Sequence, residues 1–270
     1  MKVENFKEGL CSFLLLSTIL VAGCTKKETT TTPAPPVATT PSPMTAPPAP
    51  APPSADAGTI KGKATFQGGL PSMKTVSMAK ESACAMQTKT KPQHQETVVV
   101  NPNKTLRYVV VYIDKGAPES TASLPPVKMD QKVCWYRPHV VGVKVGQTLN
   151  VTNSDSGVLH NIHFMPKLNT PFNFSQPGPA PGAPPPVRTV VFLKSEMIPV
   201  KCDVHAWMHA IVAVLPSSYF GVTDETGSFE IRNVPPGNYT LEAWHEKYGT
   251  QKMDVKVGPK ETKTVSFTFK

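Results

Sequence analysis

Residues 200–210 read VKCDVHAWMHA. Cys202, His205 and Met208 stand three positions apart in turn, so a thiol, an imidazole and a thioether share one short segment. Spacings of three can gather side chains on one helix face. Here Pro199 lies just upstream and β-branched runs flank the segment, which reads instead as a loop between two strands. Outward from it the chain stays strand-like. TIKGKATF (59–66), ETVVVN (96–101), TLRYVVVYID (105–114), HVVGVKVG (139–146), TLNVTN (148–153), LHNIHFM (159–165), RTVVFL (188–193) and AIVAVLP (210–216) are short β-branched or aromatic runs. Gly, Pro, Asn and Asp bound them. No stretch holds a sustained 3.6-residue apolar period, so the expected fold class is all-β. MKTVSMAKESACAMQ (73–87) has room for a helical turn or two, and PFNFSQPGPAPGAPPPV (171–187) reads as a Pro-rich surface loop.

The ligand chemistry of the loop points to a soft metal. Thiolate and thioether favour copper, and zinc seldom takes Met. A trigonal copper site needs one Cys, two His and a weak axial Met, so a second His must come from elsewhere. LHNIHFM supplies the candidate, His160, which stands 45 positions before His205. A Cys–His nucleophile is the competing reading, but only Asp203 is at hand to orient the imidazole. WHEKYG (244–249) lacks the second His of a helical zinc site. There is no Cys-x-x-Cys-His for covalent haem.

HNIHF together with Cys-x-x-His-x-x-Met resembles the cupredoxins, most closely the amicyanin type. The resemblance spans roughly residues 95–216. It implies a Greek-key β-sandwich with one mononuclear copper ligated by His160, Cys202, His205 and Met208. Asn161 would brace the site, its backbone N–H bonding the Cys sulfur, and His163 would fall at a non-ligand position. Trp207, Ala206, Met165 and Pro166 are candidates for an apolar rim where an electron leaves through His205. Three departures from the family pattern leave the site's geometry open: Lys201 replaces an apolar residue, and His139 and His209 are extra imidazoles within reach.

GVTDETGSFEIRNVPPGNYTLEAWH (221–245) resembles the carboxypeptidase regulatory-like module, a small transthyretin-like β-sandwich without chemistry of its own. Alternating runs at 227–234, 238–245, 252–258 and 262–270 fit four of its strands. The opening TIKGKATFQGGLP resembles the first strand of such a module. It either pairs with the C-terminal part or belongs to the copper-type domain, and the second arrangement is preferred. The expected division is thus a cupredoxin-like domain over 58–216 and the small module over 217–270.

Residues 1–57 are read as targeting and tether. Lys2 and Lys7 precede the 12-residue apolar run CSFLLLSTILVA, the length of a signal segment and too short to span a bilayer. VAGC, with Ala22 and Gly23 before Cys24, resembles the bacterial lipoprotein cleavage box. It implies removal of residues 1–23 and lipidation of Cys24, hence a membrane anchor in the cell envelope. Thr25 in place of Asp suggests the outer membrane of a diderm cell. Residues 24–57 are dominated by Pro, Thr and Ala, read as a disordered extended tether reaching on the order of 80–100 Å.

With 30 Pro and only 17% charged residues, linkers and β structure are favoured over long helices. Basic residues exceed acidic ones by nine (28 against 19), but they are scattered and no nucleic-acid motif is present. Of five cysteines, Cys11 leaves with the signal and Cys24 takes lipid. In an oxidising compartment the remaining three make one pair and one thiol. Cys84 and Cys134 are the expected disulfide, because Cys202 has ligand neighbours. The function expected is copper-based one-electron carriage between a redox enzyme, such as a dehydrogenase, and a cytochrome-like acceptor. The alternatives are a copper-delivery protein and a metal-free structural sandwich.

Overall fold

A computed structural model of the chain describes residues 55–72, 74–89, 93–118 and 123–270. The signal segment 1–23, Cys24 and nearly all of the tether lie outside the described residues. In chain order the elements are β1 (Gly58–Phe66), α1 (Ser82–Thr88), β2 (Val110–Lys115), β3 (Val127–Gln131), β4 (Tyr136–Arg137), β5 (Val140–Lys144), β6 (Thr148–Asn153), β7 (His160–Phe164) and β8 (Phe172–Gln176). They continue with β9 (Val187–Val191), β10 (Glu196–Lys201), β11 (His209–Leu215), β12 (Phe220–Val222), β13 (Ser228–Val234), β14 (Gly237–His245), β15 (Gly249–Val257) and β16 (Thr262–Phe269).

Strands β3 to β11 build one sandwich. Its sheets run β5-β11-β10-β7-β8 and β4-β3-β6-β9, and the chain crosses between them repeatedly. Inward-facing Met129, Trp135, Leu149, Ile162, Phe164 and Ile198 fill the space between. Strand β11 shows why AIVAVLP is apolar on both sides. Ala210, Val212 and Val214 face this core, while Ile211, Ala213 and Leu215 face a second apolar layer with Val110 and Val140. Phe220 and Trp244 pack on that layer and so fasten the C-terminal strands to the first sandwich.

The second sandwich departs from the expected division at 216/217. Its sheets run β13-β1-β16 and β12-β2-β14-β15 around Ile60, Ile113, Leu241 and Phe267. Strand β1 lies between β13 (antiparallel) and β16 (parallel), and β2 pairs with β12 and β14. Neither upstream strand pairs with the sheets of residues 127–215, so those residues form an insertion between strands of the smaller sandwich. The reason is geometric. Without β1, the edges of β13 and β16 would be unpaired and Phe229 and Phe267 uncovered. Gly62 marks how closely the strands approach: a Cβ there would lie 1.9 Å from the Val265 carbonyl oxygen.

Two local expectations also change. The stretch 171–187 is not loop throughout. FNFSQ forms β8, paired with β7 from His160↔Gln176 to Phe164↔Phe172. Its alternation puts Phe172 and Phe174 against the core before the prolines begin. EMIPVK, with an internal proline, forms β10 between β7 and β11. Pro199 gives up a donor there, yet its carbonyl accepts the Met165 N–H at 2.9 Å. The expected turn of helix is α1, seven residues without a side-chain cap. So short a helix is unstable alone, and the Cys84–Cys134 disulfide ties it down (Cα–Cα 5.7 Å). Closing that 50-residue separation is worth about 4 kcal/mol in the chain-entropy picture.

Ile60 tests the shared architecture, because it is fully buried in the C-terminal core although it lies far upstream in sequence. Ile60→Ala should lower stability by about 2–5 kcal/mol in denaturant unfolding. A loss below about 1 kcal/mol would mean that β1 is not a core strand of the smaller sandwich.

Candidate metal centre

His160 opens β7 and Cys202 follows the end of β10. The two strands are antiparallel, with Phe164↔Val200 and His163↔Lys201 in register. One step further brings the chain of β7 beside the Cys202 loop, where the Asn161 N–H points at Cys202 Sγ at 3.5 Å. Beyond Cys202 the loop closes on itself. Cys202 N–H donates to the Met208 carbonyl (3.0 Å), Met208 N–H donates to the His205 carbonyl (2.9 Å), and His205 N–H reaches Cys202 Sγ (3.4 Å). These bonds turn a three-residue spacing into a cage without a helix.

The donor atoms converge. His160 Nδ1 and His205 Nδ1 are 2.9 Å apart, and His205 Nδ1 is 3.7 Å from Cys202 Sγ. The ligand atoms of His160, Cys202 and His205 all lie within 4.8 Å of one another. An ion at about 2.0–2.1 Å from each nitrogen and about 2.3 Å from sulfur requires N···N of about 2.8–3.6 Å and N···S of about 3.0–3.8 Å at angles of about 90–120°. The measured separations fit. Burial completes the site: His160 is 0%, Cys202 3%, His205 1% and Met208 0% exposed. Met208 belongs to the same buried core cluster as Cys202.

Apart from Asn161, the supports were not singled out in the sequence. Asp155 Oδ2 accepts from His160 Nε2 (2.8 Å) and from Cys134 N–H (2.8 Å), while Oδ1 accepts from Val133 N–H (2.7 Å). Val133 and Cys134 both adopt left-handed backbone (φ 57° and 56°). That unfavourable conformation aims two successive N–H groups at one carboxylate. With its Nε2 proton given to Asp155, His160 presents an unprotonated Nδ1 to the cage. Asn161 is the second clamp. Its side-chain oxygen accepts the Asp203 N–H, and its Nδ2 reaches Asn173 Oδ1 (2.8 Å) and Asp203 Oδ2 (3.1 Å). Tyr136 O–H donates to the Asn161 carbonyl at 2.6 Å. The hint available from sequence was Asp155, five residues before His160 in the turn NSDSG.

The His205 edge is covered, while Ala206 and Met165 of the expected rim are exposed. Trp207 packs on His205 with ring centroids 5.1 Å apart and donates its Nε1–H to the Cys134 carbonyl at 3.0 Å. His205 Nε2 faces Cys84 Sγ and Glu81 Oε2, each at 3.9 Å. The start of α1 and the disulfide therefore lie over the imidazole edge that was expected as the electron's exit. His163 bonds Asp203 (3.0 Å) and is not among the converging groups. His139 and His209 gather with Glu246 in a separate cluster.

Electrostatics favours a thiolate. Burial opposes ionisation of Cys202, but hydrogen bonds from His160, His205 and the N–H groups of Asn161 and His205 outweigh it, bringing the thiol down to about 6. Burial likewise disfavours His160 carrying charge, and bonds to Asp155 and Cys202 more than compensate, raising it. Asp155 is lowered, its desolvation overcome by His160 and the two backbone donors.

Residues 208–270 match the carboxypeptidase regulatory-like domain. No curated protein sequence matches the chain. Among solved structures, a Cu-containing nitrite reductase (NirK) from Thermus scotoductus SA-01 is 19% identical, with TM-score 0.29, covering 38% of this chain and 25% of its own. A purple cupredoxin from Nitrosopumilus maritimus is 21% identical, TM-score 0.27, covering 33% and 99%. A mutant of amicyanin in its Cu(I) form is 17% identical, TM-score 0.29, covering 39% and 98%. The chain thus spans only a quarter of the nitrite reductase. The structural neighbours are cupredoxins. The matched C-terminal stretch contains β12 to β16, while β1 and β2 complete its sandwich from upstream.

In the metal-free protein, thiolate ultraviolet absorbance of Cys202 should titrate near pH 6, against 9.0 for an unperturbed thiol. Between these values the fold holds a thiolate and the unfolded chain a thiol. The contribution of Cys202 to stability therefore grows as pH rises from 6 to 9 and is lost as pH falls through 6. His205→Gln should move the midpoint upward. A midpoint near 9 in the wild type would refute the bonded thiolate.

Proposed function

We propose that this chain is a copper-binding electron-transfer protein of the cell envelope. The observation that carries the reading is the convergence of His160 Nδ1, His205 Nδ1 and Cys202 Sγ in a buried cage whose sulfur accepts two backbone N–H groups. His160, Cys202 and His205 would hold the ion, with Met208 as the weak fourth donor. Copper, when bound, supplies a one-electron couple. The protein's part is rigidity and tuning. Asp155 holds His160 in one tautomer, Asn161 clamps the Cys202 loop, and N–H···S bonds draw charge from the sulfur, which raises the potential. A cage held by main-chain bonds reorganises little between oxidation states.

Electrons would leave through the covered edge of His205, along Trp207 and the Cys84–Cys134 contact, to a partner docked on that side. A dehydrogenase as donor and a cytochrome-like protein as acceptor suit a lipid-anchored chain. The lipid on Cys24 and the Pro-rich tether would let the folded part search beside a membrane, the outer one in a diderm cell. The cover over His205 also favours a second reading, a copper-holding or delivery protein without a redox partner, because shielding lengthens any path to a docked protein.

One equivalent of Cu(II) should produce an intense visible band that disappears in Cys202→Ala. No band, or a band that survives the substitution, would rule out a copper–thiolate centre. Asp155→Asn should weaken copper binding about 10–100-fold, measured by competition with a chelator. Reversible reduction and reoxidation of the bound ion separates the carrier from the delivery protein.

A further inference from the structure

A second cluster stands where the two sandwiches meet. His139 precedes β5, His209 opens β11, and Glu246 lies in the turn between β14 and β15 of the C-terminal sandwich. Their ligand atoms lie within 4.8 Å of one another. His139 is fully buried, and its ring packs edge-on to His209 at a centroid distance of 5.1 Å.

Hydrogen bonds fix the tautomers of both rings. His139 Nδ1 faces the His209 carbonyl at 3.2 Å, and His209 Nδ1 faces the Trp207 carbonyl at 3.0 Å. A carbonyl only accepts, so each Nδ1 carries the proton and each Nε2 presents its lone pair. His139 Nε2 then meets Glu246 Oε1 at 2.5 Å, lone pair against carboxylate. At that separation the two atoms share a proton, and a metal ion at about 2.0–2.1 Å from each would part them to about 3 Å. His209 Nε2 currently accepts from Thr97 Oγ1 at 3.1 Å. The neighbouring Glu96 is occupied by Arg137 Nη1 (2.5 Å) and Tyr108 O–H (3.3 Å). Glu246 is therefore the carboxylate that faces the imidazoles. Imidazoles with Nδ1–H tied to backbone carbonyls are the usual support of metal-binding histidines.

We propose that His139, His209 and Glu246 form a second metal site, for a divalent ion of the zinc class, which pins the C-terminal sandwich to the copper-type sheet. Two imidazoles and one carboxylate suit Zn2+. The absence of thiolate and thioether from the set separates it chemically from the Cys202 cage, which favours a softer ion. The ion would displace the shared proton and part His139 Nε2 from Glu246 Oε1 to about 3 Å, and its binding holds one residue from each of three separate chain segments together.

The test is equilibrium dialysis of the folded chain, Glu246→Gln and His209→Gln against Zn2+, with circular dichroism confirming that all three are folded. Each variant should retain one zinc fewer per chain than the wild type, and the zinc-dependent rise in melting temperature should be lost in both. Zinc that enters the Cys202 cage is common to the three proteins and cancels in the difference. Equal zinc content in all three would overturn the proposal, whatever copper does at Cys202.

Discussion

The antiparallel register of β7 on β10 is the constraint from which the metal centre follows. Only two residue pairs define it, Phe164↔Val200 and His163↔Lys201. Continued one and two steps, it brings Ile162 alongside Cys202 and Asn161 alongside Asp203. There the Asn161 main chain bonds the sulfur and its side chain bonds both polar groups of Asp203. A slip of one residue would turn His160 to the other face of the sheet. The apolar alternation of Ile162 and Phe164 into the core opposes that slip, so the packing of two side chains sets the position of a ligand.

The same economy links the centre to its cover. Asp155 accepts a ring N–H from His160 and main-chain N–H groups from Val133 and Cys134. Cys134 is bonded to Cys84 in α1, and α1 lies beside His205. One carboxylate and one disulfide thus join a ligand from each side of the cage to the helix above it. Movement of α1 would be felt at His205, and loss of Asp155 would free both His160 and the strained turn at 133–134. The opposite side of the sandwich is closed by the C-terminal module, whose Trp244 and Phe220 cover the outer face of β11. The ligand loop immediately precedes β11, so the module braces the strand that the loop feeds.

Much of this was legible because strands betray themselves by alternation. TLNVTN, HNIHF and the four C-terminal runs coincide with strands to within a few residues. The candidate ligand loop stood out because three chemically distinctive side chains share it, and the structure brings Cys202 and His205 of that loop together with His160. Less visible were β8 and β10. Proline beside or inside an apolar run suppresses a strand reading, although a carbonyl-only position at a suitable register is tolerated. Asp155 and Glu81 gave little signal, because an acidic residue in a turn looks the same whether it is solvated or aimed at a buried imidazole. The covered state of His205 was unreadable for a similar reason: α1 lies more than a hundred residues upstream of it.

The sequence by itself determined the secondary structure class and placed a thiol, imidazoles and a thioether as candidate donors. Those properties reside in side-chain chemistry and local spacing. Which strands share a sheet was decided only in three dimensions, because a short alternating strand carries no label for its partners. β1 and β2 join strands more than a hundred residues away since their apolar faces complete a core that the C-terminal run cannot close alone. The meeting of His139, His209 and Glu246 belongs to the same category. Three ordinary residues became one cluster through the docking of two sandwiches, and no pattern along the chain records it.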